Sequence, residues 1–255
     1  MDASARELDA VLFSRFLKDG ERVFVGANLP AIRAGAVLAA YMLAPNLRLA
    51  QALAWMDVPS TNLRSPGPGL DVDDAVPAEM WIRDYEIYDD VARIADLFII
   101  GGFEIDRYGN SNLVGVPDGA GWSRRGPGPV GTTSMAVIAP RIVLYSTGHS
   151  PDIFVERCAA ISALGWGDGE TRSRLRIPVP GPESCLTPAG IFDFPPPLHQ
   201  MRLLALRPGW SVKRVRAMTG FPLHEKVPVA AVVPPTETEL RILRSIVDPD
   251  GSLRD

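Results

Sequence analysis

The stretch DLFIIGGFEIDRYGN, residues 96–110, holds side chains that could do acid–base chemistry. Glu104 and Asp106 lie two residues apart, so on an extended segment both carboxylates would project to the same side. Carboxylates placed in this way could act as a general acid and a general base. A salt bridge from either acid to Arg107 or Arg125 is the plainer alternative. The residues alone leave both roles open.

Three loops that contain glycine accompany the strand patterns, at residues 25–30 (VGANLP), 100–112 (IGGFEIDRYGNSN) and 125–134 (RGPGPVGTTS). Glycine lets the backbone approach a ligand closely, and backbone amides at a helix start can bind an anion or an oxyanion. None of the loops has the spacing of a dinucleotide fingerprint or a P-loop. A tight turn without a ligand explains any one loop, but three loops beside an acidic pair indicate a site.

Other kinds of site are disfavoured by the spacing of the candidate residues. His149, His199 and His224 lie far apart in the sequence and do not have the spacing of metal ligands, so we expect no metal. Ser146, Ser150 and Cys158 lack the context of a nucleophile elbow. The stretch WGDG, residues 166–169, indicates a turn.

Composition limits the classes of partner. The chain has 255 residues, 46% of them hydrophobic, and a net charge of −4, which predicts a substantial core and no binding to nucleic acid or an acidic membrane surface. Basic residues concentrate at 172–176 and 212–216, where a solvated face or a subunit contact is favoured over a phosphate site. Two cysteines, no signal-peptide pattern and no apolar stretch long enough to span a bilayer predict a cytoplasmic protein with free thiols.

The elements that must position these loops alternate between helices and strands. Residues 5–17 and 29–43 have helical periodicity, and Pro30 stands in the first turn of the second helix, where its missing N–H costs nothing. Residues 22–27 and 47–55 read as strands, and this order predicts a parallel crossover in an α/β domain.

The remainder of the chain is predicted to complete one domain that spans residues 1–255. Residues 58–79 lack periodicity and read as a long functional loop, with a linker between domains as the alternative. Strand patterns follow, with candidate strands at 174–180, 190–194, 201–206 and 227–233. A helix is predicted to end at Gly220, and Thr236 with Glu239 forms a possible capping box for the last helix.

The combination of these stretches resembles the β subunits of class I CoA-transferases, especially the glutaconate type. The segments VFVGANLP, APNLRLAQALAWMD, FIIGGFEIDRYGNSN and TTSMAVIAPRIVLYST carry the resemblance, which covers most of the chain. Its most specific part is the pattern G-G-x-x-I-D-x-Y-G-N at residues 101–110. Within this group the chain looks most similar to the β subunits of steroid ring-cleaving hydrolases.

The resemblance implies an α/β fold of the NagB/RpiA-like type, with an open, mostly parallel sheet flanked by helices. It also implies pairing with a homologous α subunit, as an αβ heterodimer or an α2β2 tetramer, and an acyl-CoA site at the subunit junction. No cofactor is implied, because CoA is part of the substrate. On this basis we expect the substrate and its CoA to contact Gly26, Ala27, Asn28, Ala52, Gly101, Gly102, Phe103, Glu104, Asp106, Asn110, Asn112, Gly128 and Gly131.

Two departures from the transferase pattern bear on the reaction. The family's attacking glutamate aligns with Ala52, whether counted from Ala44 or back from Met56, and alanine cannot form a covalent acyl intermediate. The family's G-x-G-G loop is replaced by residues 128–131, GPVG, where proline removes one amide donor. Oxyanion donors are therefore expected from Gly131 and from the amides at residues 27–28.

The resemblance therefore implies a retro-Claisen hydrolysis of a cyclic-ketone CoA thioester that opens the last steroid ring. The base is expected from the α subunit. Three alternatives stay open: a CoA-transferase whose glutamate lies elsewhere, a non-catalytic partner of an active α subunit, and a nucleotide-binding module. The last is the weakest, because no acidic residue ends a second strand at the spacing that a ribose requires.

Overall fold

The computed structural model of the protein describes residues 2–26, 29–51, 55–59, 79–81, 86 and 92–254. Ala27, Asn28 and Ala52 lie outside the described residues, as does most of the predicted loop at 58–79. The chain divides into two compact units. Unit 1 consists of Met1–Leu97 and Val233–Asp255, and unit 2 consists of Phe98–Val232. The expectation of a single domain stays a prediction.

Helices and strands alternate along the first part of the chain, and strands dominate the second. The helices are α1 (Ala5–Ser14), α2 (Pro30–Met42), α3 (Ala92–Ile94), α4 (Thr132–Ile138), α5 (Thr171–Arg174), α6 (Val212–Ala217) and α7 (Glu237–Ile242), which continues as a π-helical turn, Leu243–Val247. The strands are β1 (Arg22–Val25), β2 (Arg48–Gln51), β3 (Trp55–Pro59), β4 (Met80–Trp81), β5 (Leu97–Ile100), β6 (Glu104–Asp106), β7 (Ser111–Asn112), β8 (Gly115–Asp118), β9 (Gly121–Arg125), β10 (Arg141–Tyr145), β11 (Phe154–Val155), β12 (Ser184–Thr187), β13 (Gly190–Asp193), β14 (Arg202–Leu206) and β15 (His224–Ala231).

The core of unit 1 forms where α1 packs against α2. Gly35 permits this close approach, because an added Cβ would lie 2.5 Å from the carbonyl oxygen of Ala10. Phe13 and Ile32 are fully buried. Strand β1 pairs with β2 in parallel, as the sequence predicts, and β2, β3 and β4 follow in antiparallel order.

The two ends of unit 1 are joined by an ion pair with the buried carboxylate of Glu7. Ser4 caps α1 through a capping box with Glu7, and Thr236 caps α7 through the predicted box with Glu239. The guanidinium of Arg244 donates to both oxygens of Glu7 at 2.7 and 2.8 Å. These hydrogen bonds, with the one from Ser4 and the charge of Arg244, hold the pKa of the Glu7 carboxyl below its usual range. The C-terminal segment is thereby fastened to the first helix.

Unit 2 contains the strand order β15-β14-β13-β12-β10-β5. Strands β10 and β12 are parallel, β12 to β14 are antiparallel, and β15 runs parallel to β14. Two small sheets accompany them, β11-β6-β7 and β8-β9. The strands of the small sheets lie in or next to two of the three glycine-bearing loops that the sequence singles out, those at 100–112 and 125–134.

Several element predictions were wrong in detail. The single strand expected at 47–55 is two antiparallel strands, β2 and β3. The strand expected at 174–180 is absent, because α5 ends at Arg174 and turns follow it. Helix α6 ends with Met218 as its C-cap, and the N–H of Gly220 instead donates to Phe154. The sequence reading also missed α4 and β12.

Among the residues that the structure describes, none of the helices combines the length and the hydropathy that a bilayer crossing needs.

Candidate functional site

The motif loop, defined here as Gly101–Asn112, opens directly after the buried strand β5. It runs out through β6 and returns through β7, with Ile105 paired to Ser111. Gly109 makes the turn with a positive φ of 70°. Only glycine fits at position 102, because an added Cβ would lie 2.4 Å from the hydroxyl of Ser111. The glycines of this loop therefore serve turns and close packing.

Glu104 is buried, and its carboxylate is occupied by internal hydrogen bonds. The side-chain amide of Asn112 donates to it at 2.7 Å and the backbone N–H of Ala159 at 2.8 Å. The alternative of a salt bridge to Arg107 or Arg125 was wrong. Arg107 forms its ion pair with Glu156, and Arg125 donates to the carbonyl of Val114 and lies over the ring of Trp122.

Asp106 and Asn110 form the most densely bonded pair in the motif loop. The amide of Asn110 donates to both oxygens of Asp106 at 3.1 and 2.8 Å, and the backbone N–H groups of Tyr108 and Asn110 donate to the same carboxylate. Burial raises the pKa of the Asp106 carboxyl, while these donors act in the opposite direction. The carboxylate thus closes the turn at Gly109.

Asn110 also forms hydrogen bonds with a second segment, called here the bridge segment and defined as Cys158–Gly167. Its side-chain oxygen accepts from the N–H groups of Gly165 and Gly167, and its amide also donates to the carbonyl of Gly167. Gly165 lies so close that an added Cβ would meet the backbone of Gly109 at 2.3 Å. All the polar atoms of Asn110's side chain are therefore used to join the two segments.

Further contacts extend along the bridge segment. The backbones of Ser111 and Ala163 exchange hydrogen bonds, and the hydroxyl of Ser162 joins the carbonyl of Ser111 to the N–H of Leu113. The thiol of Cys158 donates to the carbonyl of Asn110. Burial, together with the charges of the two acids of the motif loop, raises the pKa of this thiol. Cys158 is a buried structural thiol, as expected.

Arg172 has a structural role that the sequence did not predict. Its guanidinium is buried and donates to four carbonyl oxygens, those of Gly165, Leu164, Val179 and Ala136, at 2.6 to 3.0 Å. Burial lowers its pKa to about 10. The expectation of a solvated face, a subunit contact or a phosphate site at 172–176 was wrong for this residue. It ties α4 to the bridge segment.

The glycine loop, defined here as Gly126–Gly131, lies against the motif loop. An added Cβ on Gly126 would meet the ring of Phe103 at 2.3 Å, and the N–H of Gly128 donates to Leu113. Gly128 has a φ of 92° and open space around it. Val130 has a φ of 48° and is exposed, and this left-handed conformation costs an L-residue about 1–2 kcal/mol.

The predicted site residues of unit 2 thus come together in two neighbouring loops, but they do not all face solvent. Those that are buried are Glu104, Asp106, Asn110, Asn112 and Gly131, and those that are partly accessible are Gly101, Gly102, Phe103 and Gly128. Direct contact between the buried group and a ligand stays a prediction. The glycine loop consists of glycine, proline and valine alone, whereas in the motif loop the polar residues Arg107 and Tyr108 are also partly accessible.

The predicted site residues of unit 1 are described only in part. Gly26 is half-buried at the end of β1, whereas Ala27, Asn28 and Ala52 lie outside the described residues. Strand β2 ends at Gln51, so Ala52 is the residue that directly follows it in sequence. The assignment of Ala52 to the position of the transferase nucleophile stays a prediction.

The buried histidine of unit 2 is a core residue. The ring nitrogens of His149 lie 3.1 Å from the hydroxyls of Thr187 and Thr219, and the ring stacks on Phe154 at 4.3 Å. Burial lowers its pKa to about 4, so it is neutral at pH 7. Within the described residues, no group of three or more His, Cys, Asp or Glu side chains could hold a metal ion.

Curated proteins of two activities are similar to the chain along nearly its whole length. It is 26% identical over 252 residues to the IpdB component of the cholesterol ring-cleaving hydrolase of Mycobacterium tuberculosis, in a match that covers 98% of this chain and 96% of IpdB. It is 28% identical over 250 residues to one of the subunits of glutaconate CoA-transferase from Acidaminococcus fermentans, in a match that covers 96% of this chain and 92% of that protein. No protein-family model matches the chain.

Solved structures match the fold closely. The crystal structure of the Acidaminococcus fermentans glutaconate CoA-transferase superposes with a TM-score of 0.85 at 24% identity, covering 100% of this chain and 99% of that chain. The structure of IpdAB from Rhodococcus jostii superposes with a TM-score of 0.78 at 22% identity, covering 100% and 98%. The resemblance read from the sequence is therefore confirmed: the chain has the α/β fold of glutaconate CoA-transferase, with a mostly parallel sheet flanked by helices, and its sequence is similar to subunits of both a CoA-transferase and a ring-cleaving hydrolase.

Proposed function

We propose that the chain is the β subunit of a heteromeric acyl-CoA hydrolase that opens the last steroid ring in cholesterol catabolism. The observation that carries this proposal is Ala52, which stands where the resemblance places the attacking glutamate of the transferases. A methyl group offers no oxygen to attack a thioester, so transfer through a glutamyl intermediate has no nucleophile at this position. The similarity to IpdB over 98% of the chain supports the same reaction class.

The proposed reaction is a retro-Claisen hydrolysis of a cyclic ketone that lies β to the thioester carbonyl or is vinylogously related to it. Water adds through its oxygen to the ring ketone, and the bond between that carbon and its neighbour breaks. The electron pair moves onto the thioester as an enolate, which then takes up a proton. The product is a single open-chain acyl-CoA that carries a new carboxylic acid group, so the reaction consumes only one water.

This chain contributes the pocket wall and the thioester cradle in the proposed mechanism. Backbone N–H groups near an enolate are worth about 3 kcal/mol for each well-placed donor. The motif-loop acids Glu104 and Asp106 do not serve as the general base, because both are buried and accept internal hydrogen bonds. We expect the base from the α subunit. We expect the pair to assemble as αβ or α2β2 and to act in the cytoplasm.

The protein purified together with its α subunit tests the proposal. Incubation with CoA thioesters that carry one remaining steroid ring with a β-placed ketone should yield an open-chain acyl-CoA heavier by one water, measured by mass spectrometry. The α subunit alone provides the control and should give no product. No turnover across such a panel would remove the proposal, and equal turnover by the α subunit alone would reduce this chain to a structural partner.

A CoA-transferase is the second candidate, since the chain is as similar to a transferase subunit as to IpdB. The identity to the glutaconate CoA-transferase subunit is 28%, and the transferase structure superposes at a TM-score of 0.85. A transferase would form a glutamyl-CoA thioester on this chain. Borohydride reduces such a thioester, so a trapped, mass-shifted peptide after incubation with acyl-CoA would establish transfer. The hydrolase proposal expects no trapped peptide.

A further inference from the structure

The tip of the glycine loop holds a β-branched residue in a backbone conformation that suits glycine. Val130 has a φ of 48°. In this region the Cβ of an L-residue crowds the neighbouring carbonyl, and a branched side chain is a genuine outlier there. A glycine at this position would adopt the same conformation without strain. The chain therefore carries a side chain here at a cost to the fold.

The conformation of Val130 is imposed by the anchors on both sides of the tip. On one side the N–H of Gly128 donates to the carbonyl of Leu113 at 3.2 Å. On the other side the backbone N–H and the hydroxyl of Thr132 both donate to the carbonyl of Pro129, at 2.8 and 2.6 Å. The loop is thus held closed at its base, and Val130 is projected from it.

The strain at Val130 is not offset by burial of its side chain within this chain. The residue is 64% exposed. From residue 126 to 131 the sequence is GPGPVG, so the loop presents no hydroxyl, amide or charged side chain. The loop also packs against Phe103 of the motif loop through Gly126. The tip is therefore suited to an apolar group, and the side chains of residues 126–131 offer nothing to a phosphate or a nucleobase.

We propose that Val130 is a specificity-determining residue that contacts the apolar acyl part of the bound acyl-CoA thioester. The inference rests on the proposed function, because that function places an acyl-CoA at the motif and glycine loops. Beyond that function, the strained side chain of Val130 is inferred to select acyl groups that are bulky and hydrophobic. Recognition of the CoA part does not involve it.

The test uses the protein purified with its α subunit, and compares Val130→Asn with the unchanged complex. Asparagine tolerates positive φ, so the variant should unfold at the same or a higher temperature. Isothermal titration with free CoA and with cyclohexanecarboxyl-CoA measures the preference for the apolar group. The unchanged complex should favour cyclohexanecarboxyl-CoA, and the variant should lose about tenfold of that preference while binding CoA equally well.

Leu175→Asn is the matched control, because Leu175 is exposed to a similar extent, 61%, but has a φ of −88°. It should change neither affinity. A variant at Val130 that keeps the preference, that weakens both ligands alike, or that no longer associates with the α subunit would overturn the inference while the proposed function stands. If the unchanged complex binds neither ligand, the proposed function fails together with the inference, and that result is visible before any variant is made.

Discussion

The motif loop and the glycine loop were selected on the same sequence grounds, yet they are built in opposite ways. The motif loop holds two acids and their amide partners, and the structure buries Glu104, Asp106 and Asn110 and pairs them internally. The glycine loop holds no polar side chain before Thr132, and it projects an apolar residue into solvent. Polar residues in a predicted site can therefore belong to its scaffold, while the neighbouring loop presents an exposed apolar residue.

The largest loss of stability should follow from removing the hydrogen bonds that connect the motif loop to the bridge segment. Asn110→Ala removes donors to Asp106 and acceptors for Gly165 and Gly167. Several buried groups lose their partners, so the free energy of unfolding should fall by about 4 kcal/mol. Urea unfolding followed by circular dichroism measures this loss.

Asn46→Ala is the matched control for that experiment. Asn46 donates through its side-chain amide to Asp19 at an exposed site, so its loss should change stability little. If both alanine variants were equally stable, the bonded network around Asn110 would not hold the motif loop, and the contrast between the two loops would lose its basis.

The next effect should come from Arg172, which connects α4 to the bridge segment. Arg172→Met leaves buried carbonyl oxygens without donors and should cost about 3 kcal/mol of unfolding free energy in urea denaturation. Arg174→Met is the control, since its partner Asp168 is exposed, and it should unfold like the unchanged protein. Similar urea midpoints for both variants would show that the fold does not depend on the guanidinium of Arg172.

A smaller loss of folding stability should appear on acidification, because the buried ring of His149 becomes protonated. Its ring stacks on Phe154, which pairs with Ile105 of the motif loop. The pKa of His149 is lowered from 6.5 to about 4 in the folded state, so the unfolded chain binds a proton at higher pH. The stability that the neutral ring contributes is complete above pH 6.5 and is lost as pH falls toward 4. The loss at pH 5 should be about 2 kcal/mol.

The variant His149→Gln isolates this contribution, because glutamine does not titrate. Between pH 7 and pH 5, the free energy of unfolding should fall more for the unchanged protein than for the variant. Parallel losses in both proteins would mean that other groups account for the acid sensitivity.

The smallest effect is expected in the glycine loop itself. Gly128→Ala introduces a Cβ into open space at a φ of 92°, so only the backbone conformation opposes it, at about 1 kcal/mol. Gly119→Ala, at a φ of 56° in the hairpin turn between β8 and β9, also meets no neighbour and should cost a similar amount in thermal unfolding. A much larger loss at Gly128 alone would indicate packing around the glycine loop that contradicts its open position.

Local patterns allowed much of the fold to be predicted. Helical periodicity identified α1 and α2, the placement of Pro30 identified a helix start, and the spacing of Thr236 and Glu239 identified a capping box. The WGDG turn was also correct, with the N–H of Gly169 donating to Trp166. These features depend on neighbours within a few residues, which a sequence displays directly.

The short helix α4 was missed for the opposite reason. Its sequence, TTSMAVI, is β-branched and apolar and follows two prolines, a pattern that favours a loop or a strand. Its position is secured by tertiary contacts, since Arg172 donates to the carbonyl of Ala136 and Thr133 donates to Ser162. A local pattern of seven residues does not contain those partners.

By itself the sequence determined that a buried strand opens through two glycines into a loop and that the chain resembles CoA-transferase β subunits, and it predicts that alanine stands at the position of their nucleophile. Only the tertiary structure decided what Glu104 and Asn110 do, because Ala159 and Gly165, whose N–H groups they accept from, each lie 55 residues further along the chain. A carboxylate is available for catalysis or committed to the scaffold according to the donors around it. Those donors are assembled by folding and cannot be read from spacing.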